Sequence, residues 1–300
     1  MVRHQIFRWA CLAVAGCSVA GCNPEEVRFE DNPIPSYSGV PTVLVDAYLT
    51  RAYIDLIGRE PLPAELETSR TALRTDDLSP AARLDLIERL MGADSTYKQA
   101  HDRKLFDDLS GQFLNGTSLE GLLSLAASER ASAEQDSLAG GSAYPFFLER
   151  ARRLDSTAAA IEAFQADAIN WREVNRRFCD NLVYDEINMN SFNFINASFD
   201  DLFGRYPTES EYEQAFSAIE FGAPAVLLGN VIVDKDDYLN TMVGNAEFDE
   251  GATRWWAEKL LVRSITGAEM VAWRDVAGPD VDIRALMRLL IASDEYADFQ

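Results

Sequence analysis

The 300-residue chain has little cysteine and almost no histidine: 4 Cys and 2 His. Cys11, Cys17 and Cys22 crowd the N-terminus, leaving Cys179 as the only thiol of the body, and the only histidine beyond the N-terminal segment is His101. A lone thiol closes no intramolecular disulfide, and one His with one Cys does not make a usual zinc site. A Ser-His-Asp triad would have to recruit His101 from the charged run His101-Asp102-Arg103-Lys104, and no Gly-x-Ser-x-Gly elbow accompanies it. There is no glycine-rich loop to cradle phosphate, and no Cys-x-x-Cys-His, which excludes covalent haem. No metal and no cofactor are expected, and Cys179, beside Phe178, reads as a buried packing residue.

Positive charge is short as well. Asp and Glu number 49 against 27 Lys and Arg, a formal charge of −22. Lys98, Lys104, Lys235 and Lys259 are the only lysines. No basic face can be assembled against such a field, so nucleic acid is not an expected partner, and bare anionic membrane is repelled too. An acid-rich, lysine-poor surface suits a saline milieu, where screening relieves self-repulsion.

What is present begins with an address. Arg3 and Arg8 form a positive stretch, and Trp9 to Ala20 a short apolar run, too short to span a bilayer permanently. Two quartets of small residues then end in Cys, Val14-Ala15-Gly16-Cys17 and Val19-Ala20-Gly21-Cys22. Residues 1–22 are read as a lipoprotein signal with Cys22 as the lipid attachment site, since cleavage at Cys17 leaves a minimal apolar run; Cys17 stays the alternative. The pattern resembles the lipobox of bacterial lipoproteins. That resemblance implies acyl chains on the cysteine and a place in the cell envelope, the outer membrane above all. If the signal departs with Arg3 and Arg8, the basic residues fall from 27 to 25 and the charge moves from −22 to −24. Residues 23–45, rich in proline and without helical period, are predicted to be a flexible tether.

The body is organised by a repeat. Asp55-Leu56-Ile57-Gly58-Arg59-Glu60-Pro61-Leu62-Pro63-Ala64-Glu65-Leu66 overlays Asp201-Leu202-Phe203-Gly204-Arg205-Tyr206-Pro207-Thr208-Glu209-Ser210-Glu211-Tyr212 without a gap. A degenerate third copy runs from Lys259 to Met270, with Arg263 and Glu269 in register. Each copy predicts a helix-turn-helix corner. Gly58 and Gly204 supply the left-handed residue after a helix; Thr208/Glu211 and Thr266/Glu269 are capping boxes; Leu62 replaces the capping Thr, with Pro63 at the first helical position. Arg59, Arg205 and Arg263 are read as braces on Glu65, Glu211 and Glu269 or on the last carbonyls, rather than as anion captors. A closing helix follows each corner, capped by Ser79, Asp234 and Asp280 in turn, and ends at Tyr97, Phe248 or Tyr296, a ring expected to pack back on its corner helix. One such module buries too little surface alone, so neighbours must share a core.

This Leu-φ-Gly-Arg-x-Pro-x-x-x-Glu-φ pattern resembles small all-helical bacterial domains of unknown function of the 4214 type, found in secreted and surface proteins. It resembles more distantly the helical segment of planctomycete cytochrome-associated proteins of the 1549 type. The resemblance implies an all-α fold and no established activity.

The expected organisation is an all-α helical bundle: module 1 over 46–98, a helical insertion over 99–191, module 2 over 192–249 and the degenerate module 3 over 250–300. In the insertion, Leu105, Phe106, Leu109 and Phe113 form one apolar stripe, and a loop near Leu138 to Ser142 separates two further helices. The run Phe221 to Val233 is predicted to bury in the core. Of the adjacent Trp255 and Trp256, one is expected to pack on the insertion. The candidate polar or cation site is Asp185, Glu186, Asn188 and Asn190, whose i,i+3 and i,i+4 spacing would gather them on one helix face; a solvated or helix-capping network is the preferred reading.

The function expected is that of a non-enzymatic, lipid-anchored envelope adaptor or assembly factor with a protein partner. The alternatives are a glycan-active enzyme using Asp185, Glu186 or the acids of 234–237, and an accessory subunit of an extracytoplasmic electron-transfer complex. The charge pattern makes one expectation testable at once: the melting temperature rises with added salt, and a temperature that stays level or falls between low and molar salt removes the saline-milieu reading.

Overall fold

The computed structural model describes residues 37–299 apart from Ser38 and Ala93. The predicted signal segment with Cys17 and Cys22, and the tether as far as residue 36, lie outside the described residues. Module 1 comprises α1 (Thr42–Ile57), α2 (Pro63–Thr75) and α3 (Pro80–Met91). The insertion holds α4 (Lys98–Phe113), α5 (Leu119–Leu138), α6 (Tyr144–Ala158), α7 (Ala160–Gln165), α8 (Trp171–Cys179) and α9 (Leu182–Asn188). Module 2 follows with α10 (Ser191–Phe203), α11 (Glu209–Phe221), a hairpin of β1 (Ala225–Leu227) and β2 (Asn230–Ile232), and α12 (Lys235–Gly244). Module 3 is α13 (Ala246–Leu261), α14 (Gly267–Ala277), α15 (Ile283–Ile291) and α16 (Asp294–Ala297). The fold is all-α, with one short hairpin among the described residues.

The expected local signals act where the chemistry places them. Gly58 and Gly204 end α1 and α10 at φ +74° and +68°. Thr208 and Thr266 cap α11 and α14 through boxes with Glu211 and Glu269. Ser79 and Asp234 cap α3 and α12 as predicted. For α15 the cap is Asp282 instead of Asp280. Gly278 and Val281 both take positive φ there, and that turn moves the helix start two residues along. In copy three, Val262 occupies the elbow position of the glycines at φ +54°, a strained place for a β-branched side chain.

Several predicted boundaries fall inside helices. α1 begins at Thr42, within the stretch read as tether, because Val45 and Leu49 already lie on its buried face. Tyr37 is buried too, so the tether ends earlier than residue 45. The limits at 98/99 and 249/250 cut the first turns of α4 and α13. The closing aromatic of one module thus lies at the start of the helix that follows, and α13 both finishes module 2 at Phe248 and opens module 3. The run 221–233 is half buried instead of buried. Its strands alternate, Ala225, Leu227 and Ile232 facing in while the cross-strand pair Val226 and Val231 faces out, about a turn in which Leu228 and Gly229 both have positive φ.

One hydrophobic cluster draws on all three modules and the insertion, as modules too small to stand alone require. Tyr97 packs on its own corner helix, edge to face with Tyr53 at 5.9 Å. Tyr296 lies on α16, which touches its own corner helix α13, and it also reaches module 1, with its ring 6.0 Å from Tyr48 and its hydroxyl donating to Asp55 at 2.7 Å. Arg83 of α3 is fully buried and completes this seam. Its guanidinium donates to the Ser293 carbonyl at 3.0 Å and to Asp294 at 2.6 Å, and Tyr37 donates to the same carboxylate at 2.6 Å. Module 3 therefore closes back on module 1. Trp256 meets Trp171 of the insertion at 6.0 Å, and Trp255 stays half-buried beside it.

The tightest backbone approach joins modules 2 and 3. A Cβ on Gly251 of α13 would run into the Leu202 carbonyl and lie 3.0 Å from the Phe203 Cα of α10, whereas a Cβ on Gly111 of α4 meets nothing within 4 Å. Gly251→Ala should lower stability by about 3 kcal/mol through forced separation of the two helices. Gly111→Ala should leave stability unchanged or raise it by up to about 1 kcal/mol. Urea denaturation of both variants checks this, and equal behaviour would refute the close packing of α13 on α10.

Candidate functional site

The repeat residues form three copies of one clamp. The two terminal nitrogens of Arg59 grip the Glu65 carboxylate at 2.7 and 2.8 Å, those of Arg205 grip Glu211 at 2.9 and 2.8 Å, and those of Arg263 grip Glu269 at 3.1 and 2.6 Å. One of those nitrogens also donates to the next residue's carbonyl, of Glu60, Tyr206 or Ser264. The same Glu accepts the backbone N–H of Leu62, Thr208 or Thr266 at the start of the following helix. In modules 2 and 3 a further acid joins, Glu247 on Arg205 at 2.6 Å and Glu295 on Arg263 at 2.9 Å. Module 1 has Thr96 in that place, and there the Tyr97 hydroxyl donates to Glu65 at 3.0 Å. The arginines hold all three carboxyls well below the usual range, at about 2. These pairs brace the corners, and in modules 2 and 3 the second acid takes up the remaining edge of the guanidinium.

His101 is structural as well. Its Nδ1 donates to the Leu56 carbonyl at 2.7 Å, one of the end carbonyls that α1 leaves unsatisfied, and burial pushes its pKa down. The Cys179 thiol is buried and pushed well up by desolvation, which keeps it unreactive.

The predicted polar site is only partly brought together. α9 ends at Asn188, so Asn190 lies past the helix in extended backbone and the expected common face does not form. Asn188 is buried and donates to the Tyr184 carbonyl at 2.9 Å, while Asn190 caps α10 by accepting from Asn193 N–H at 2.9 Å. Asp185 and Glu186 stay near the surface, but each faces a cation. Lys235 Nζ lies 2.5 Å from Asp185, and Arg150 lies 3.7 Å from Glu186. No group of three or more metal-ligating side chains occurs among the described residues. A cation there would have to displace Lys235 from Asp185.

The same residues do outline a groove. Ligand clefts run to roughly 300–1,000 Å³, and the hollow here, about 730 Å³, is lined by Phe146, Glu149, Arg150, Arg153, Asp185 and Met189, among others. A second hollow of about 210 Å³ adjoins it through Asp185 and Met189 and reaches Asn190, Ser191, Ile219 and Lys235. The charges along the groove are mutually satisfied. Arg152 and Arg153 hold Glu149 at about 2. Asp180, beneath the groove, is pushed up by burial and pulled back by Lys235 and Arg153. Lys235 also sits 4.8 Å above the Phe194 ring. Sequence reading missed Arg150, Arg153 and Lys235; the scarcity of lysine was the one available signal, because all four lysines turn out to be paired with an acid.

At the junction of the hollows stands Met189, the C-cap of α9, at φ +43° and 78 % exposed. A non-glycine residue there costs roughly 1–2 kcal/mol, and Met189 gains no burial in return. Phe146 is 59 % exposed on the opposite wall.

Behind the groove, the Tyr184 hydroxyl donates to Asp201 at 2.8 Å, and burial raises the Asp201 carboxyl to about 7. Comparison with family models, with curated proteins and with solved structures finds no match to the chain.

The two sets of carboxyls give opposite pH limbs. Asp201 is raised, so the folded state holds its proton more tightly than the unfolded chain and stability falls as pH rises from about 4 to 7. Glu65, Glu211 and Glu269 are lowered, so their contribution is lost as pH falls from about 4.5 towards 2. Thermal melts should peak near mildly acidic pH. Asp201→Asn should flatten the limb above that peak and leave the acid limb in place; an unchanged upper limb would rule out Asp201 as its source.

Proposed function

We propose that this chain is an envelope adaptor, held at a membrane by lipid on Cys22, and that the groove between α6, α9 and α12 receives another envelope protein. The observation that carries the reading is Met189. A flexible apolar side chain is held out into solvent at a strained backbone position, at the meeting point of two hollows. Strain of this kind persists where surrounding structure and function require it. A thioether adapts to varied partner surfaces, and Phe146 across the groove offers a ring to the same contact. The groove's charges form pairs, which a partner's rim can exchange without leaving an isolated ion buried. A glycan-active site is less well supported, because Asp185 and Glu186 each lean on a cation and Glu149, the acid on the α6 wall, is held by Arg152 and Arg153.

Two measurements test the parts separately. Met189→Asn relieves the left-handed strain and should raise the melting temperature by about 2–4 °C, yet strip the co-purifying protein from affinity preparations made from native membranes in mild detergent. Cys22→Ser should move the chain from the membrane fraction to the soluble one. Identical co-purification by the Met189 variant sinks the groove assignment, and a Cys22 variant that stays in the membrane fraction sinks the lipid anchor.

A further inference from the structure

α11 packs on α10, β1 and α12 but leaves its outer edge in solvent. Ala215 and Ala218 point inward and are fully buried, while Glu209, Glu213, Phe216 and Glu220 follow one another at three- and four-residue intervals towards the outer side; Phe216 and the neighbouring Tyr212 are half-buried, with one edge against the core. The rings form a continuous row. Phe192 of α10 meets Tyr212 at 5.5 Å, Tyr212 stacks on Phe216 at 5.7 Å and 23°, and Phe216 meets Phe221 at 5.6 Å. The two ends of the row stand out in solvent, Phe192 at 56 % and Phe221 at 72 % exposure.

The acids on this face are unfavourably placed. Glu209 and Glu213 lie one turn apart and have no ion-pair partner among the described residues, although like charges at that spacing destabilise a helix. Glu220 sits in the last turn, against the negative end of the helix, and the last turn contains no basic residue. Its only side-chain partner among the described residues is the Ser191 hydroxyl. Elsewhere the molecule spends its cations freely on its acids, including all four lysines. Here carboxylates flank an exposed aromatic row and are left open.

We propose that this face of α11 docks a basic amphipathic segment of a partner protein. The segment's apolar stripe lies along the Phe192–Tyr212–Phe216–Phe221 row, and its lysine or arginine side chains meet Glu209, Glu213 and Glu220. Charge decides the occupant. A second copy would bring two identical acidic faces of a chain of charge −22 together, and an anionic lipid surface meets the same repulsion. A cationic segment removes the repulsion between Glu209 and Glu213, opposes the misplaced charge of Glu220 and can stack its cations on the rings. The assignment rests on the adaptor reading and adds the partner's chemistry to it.

The test uses the purified chain and three labelled synthetic helices with leucine at helical spacing and lysine, glutamine or glutamate at the other positions. Fluorescence anisotropy should show binding of the lysine helix alone, weakening as salt rises. Glu209→Gln/Glu213→Gln/Glu220→Gln and, separately, Phe192→Ser/Phe221→Ser should each weaken it by about tenfold or more. A control that neutralises Glu60, Asp85 and Glu134 should leave it unchanged, and circular dichroism melts should show every variant folded. Equal loss in the control reduces the effect to net charge and overturns the assignment. So does sedimentation showing a dimer that Phe221→Ser dissolves, which would make a second copy the occupant. Failure of the lysine helix while the native partner still co-purifies overturns the basic-segment assignment alone and leaves the adaptor reading intact.

Discussion

Everything in this body depends on a flat cation closing a corner. At each elbow one carboxylate is bonded twice, by the guanidinium that ends the first helix and by the N–H that begins the second. Both helices are thereby referred to a single group, and the fork geometry of arginine sets the angle between them in a way that the point charge of lysine would not. The clamp explains why the third copy can be degenerate. Val262 stands where a glycine is favoured, and the elbow forms nonetheless, because Arg263 grips Glu269 and Glu295 on the far side of the turn. A strained residue is tolerated when its neighbours over-determine the backbone.

Clamped corners are rigid but small, and the chain assembles them in a closed order. α13 belongs to two modules, which makes their separation impossible without breaking a helix. α16 returns to α1, and Arg83 is buried in that return with acceptors on Ser293 and Asp294. A buried guanidinium is costly unless bonded, and breaking one side of such a pair is strongly destabilising. The seam therefore registers module 3 against module 1, whereas plain apolar contact would let it slide. Cations are few and serve as internal fastenings, so the acids that remain define the outside.

How much of this could be read from residues follows from how local each signal is. The elbows were legible because glycine, arginine, a capping threonine and a glutamate act within twelve residues of one another, and the Arg–Glu pairs and two of the three closing-helix caps formed as the spacing implied. The third cap failed because Gly278 and Val281 reshape a turn whose conformation no local pattern announces. The start of α1 was hidden by Pro41, which ends the tether and also precedes a helix, and only the burial of Val45 tells which role governs. The contact of Tyr296 with module 1 was not legible: Asp55 lies 241 residues away in sequence, and periodicity carries no information about which further module a closing ring will meet. The groove was half legible. Asp185 and Glu186 stood out by their helical spacing with Asn188 and Asn190, but Arg150, Arg153 and Lys235 reach the groove from other helices.

Departures from local rules occur along the whole chain, at Leu78, Leu228, Val262 and Val281 as well as at Met189, and what differs is how each is compensated. Val262 is strained inside a clamped elbow, where bonds on both sides of the turn compensate it. Met189, Glu209, Glu213 and Glu220 break equally simple rules on the α9–α11 side, where Glu220 has only the Ser191 hydroxyl and Glu209 and Glu213 have no ion-pair partner among the described residues. Consistency across levels is what makes a sequence specify one structure, so residues that lower consistency and gain nothing internally are where an external contact must be sought. That side also bears the exposed rings Phe192 and Phe221 and the two adjoining hollows. Glu209, Glu213 and Glu220 lie beside an aromatic row whose ends Phe192 and Phe221 are exposed, so one basic and apolar segment could satisfy both features of this side at once.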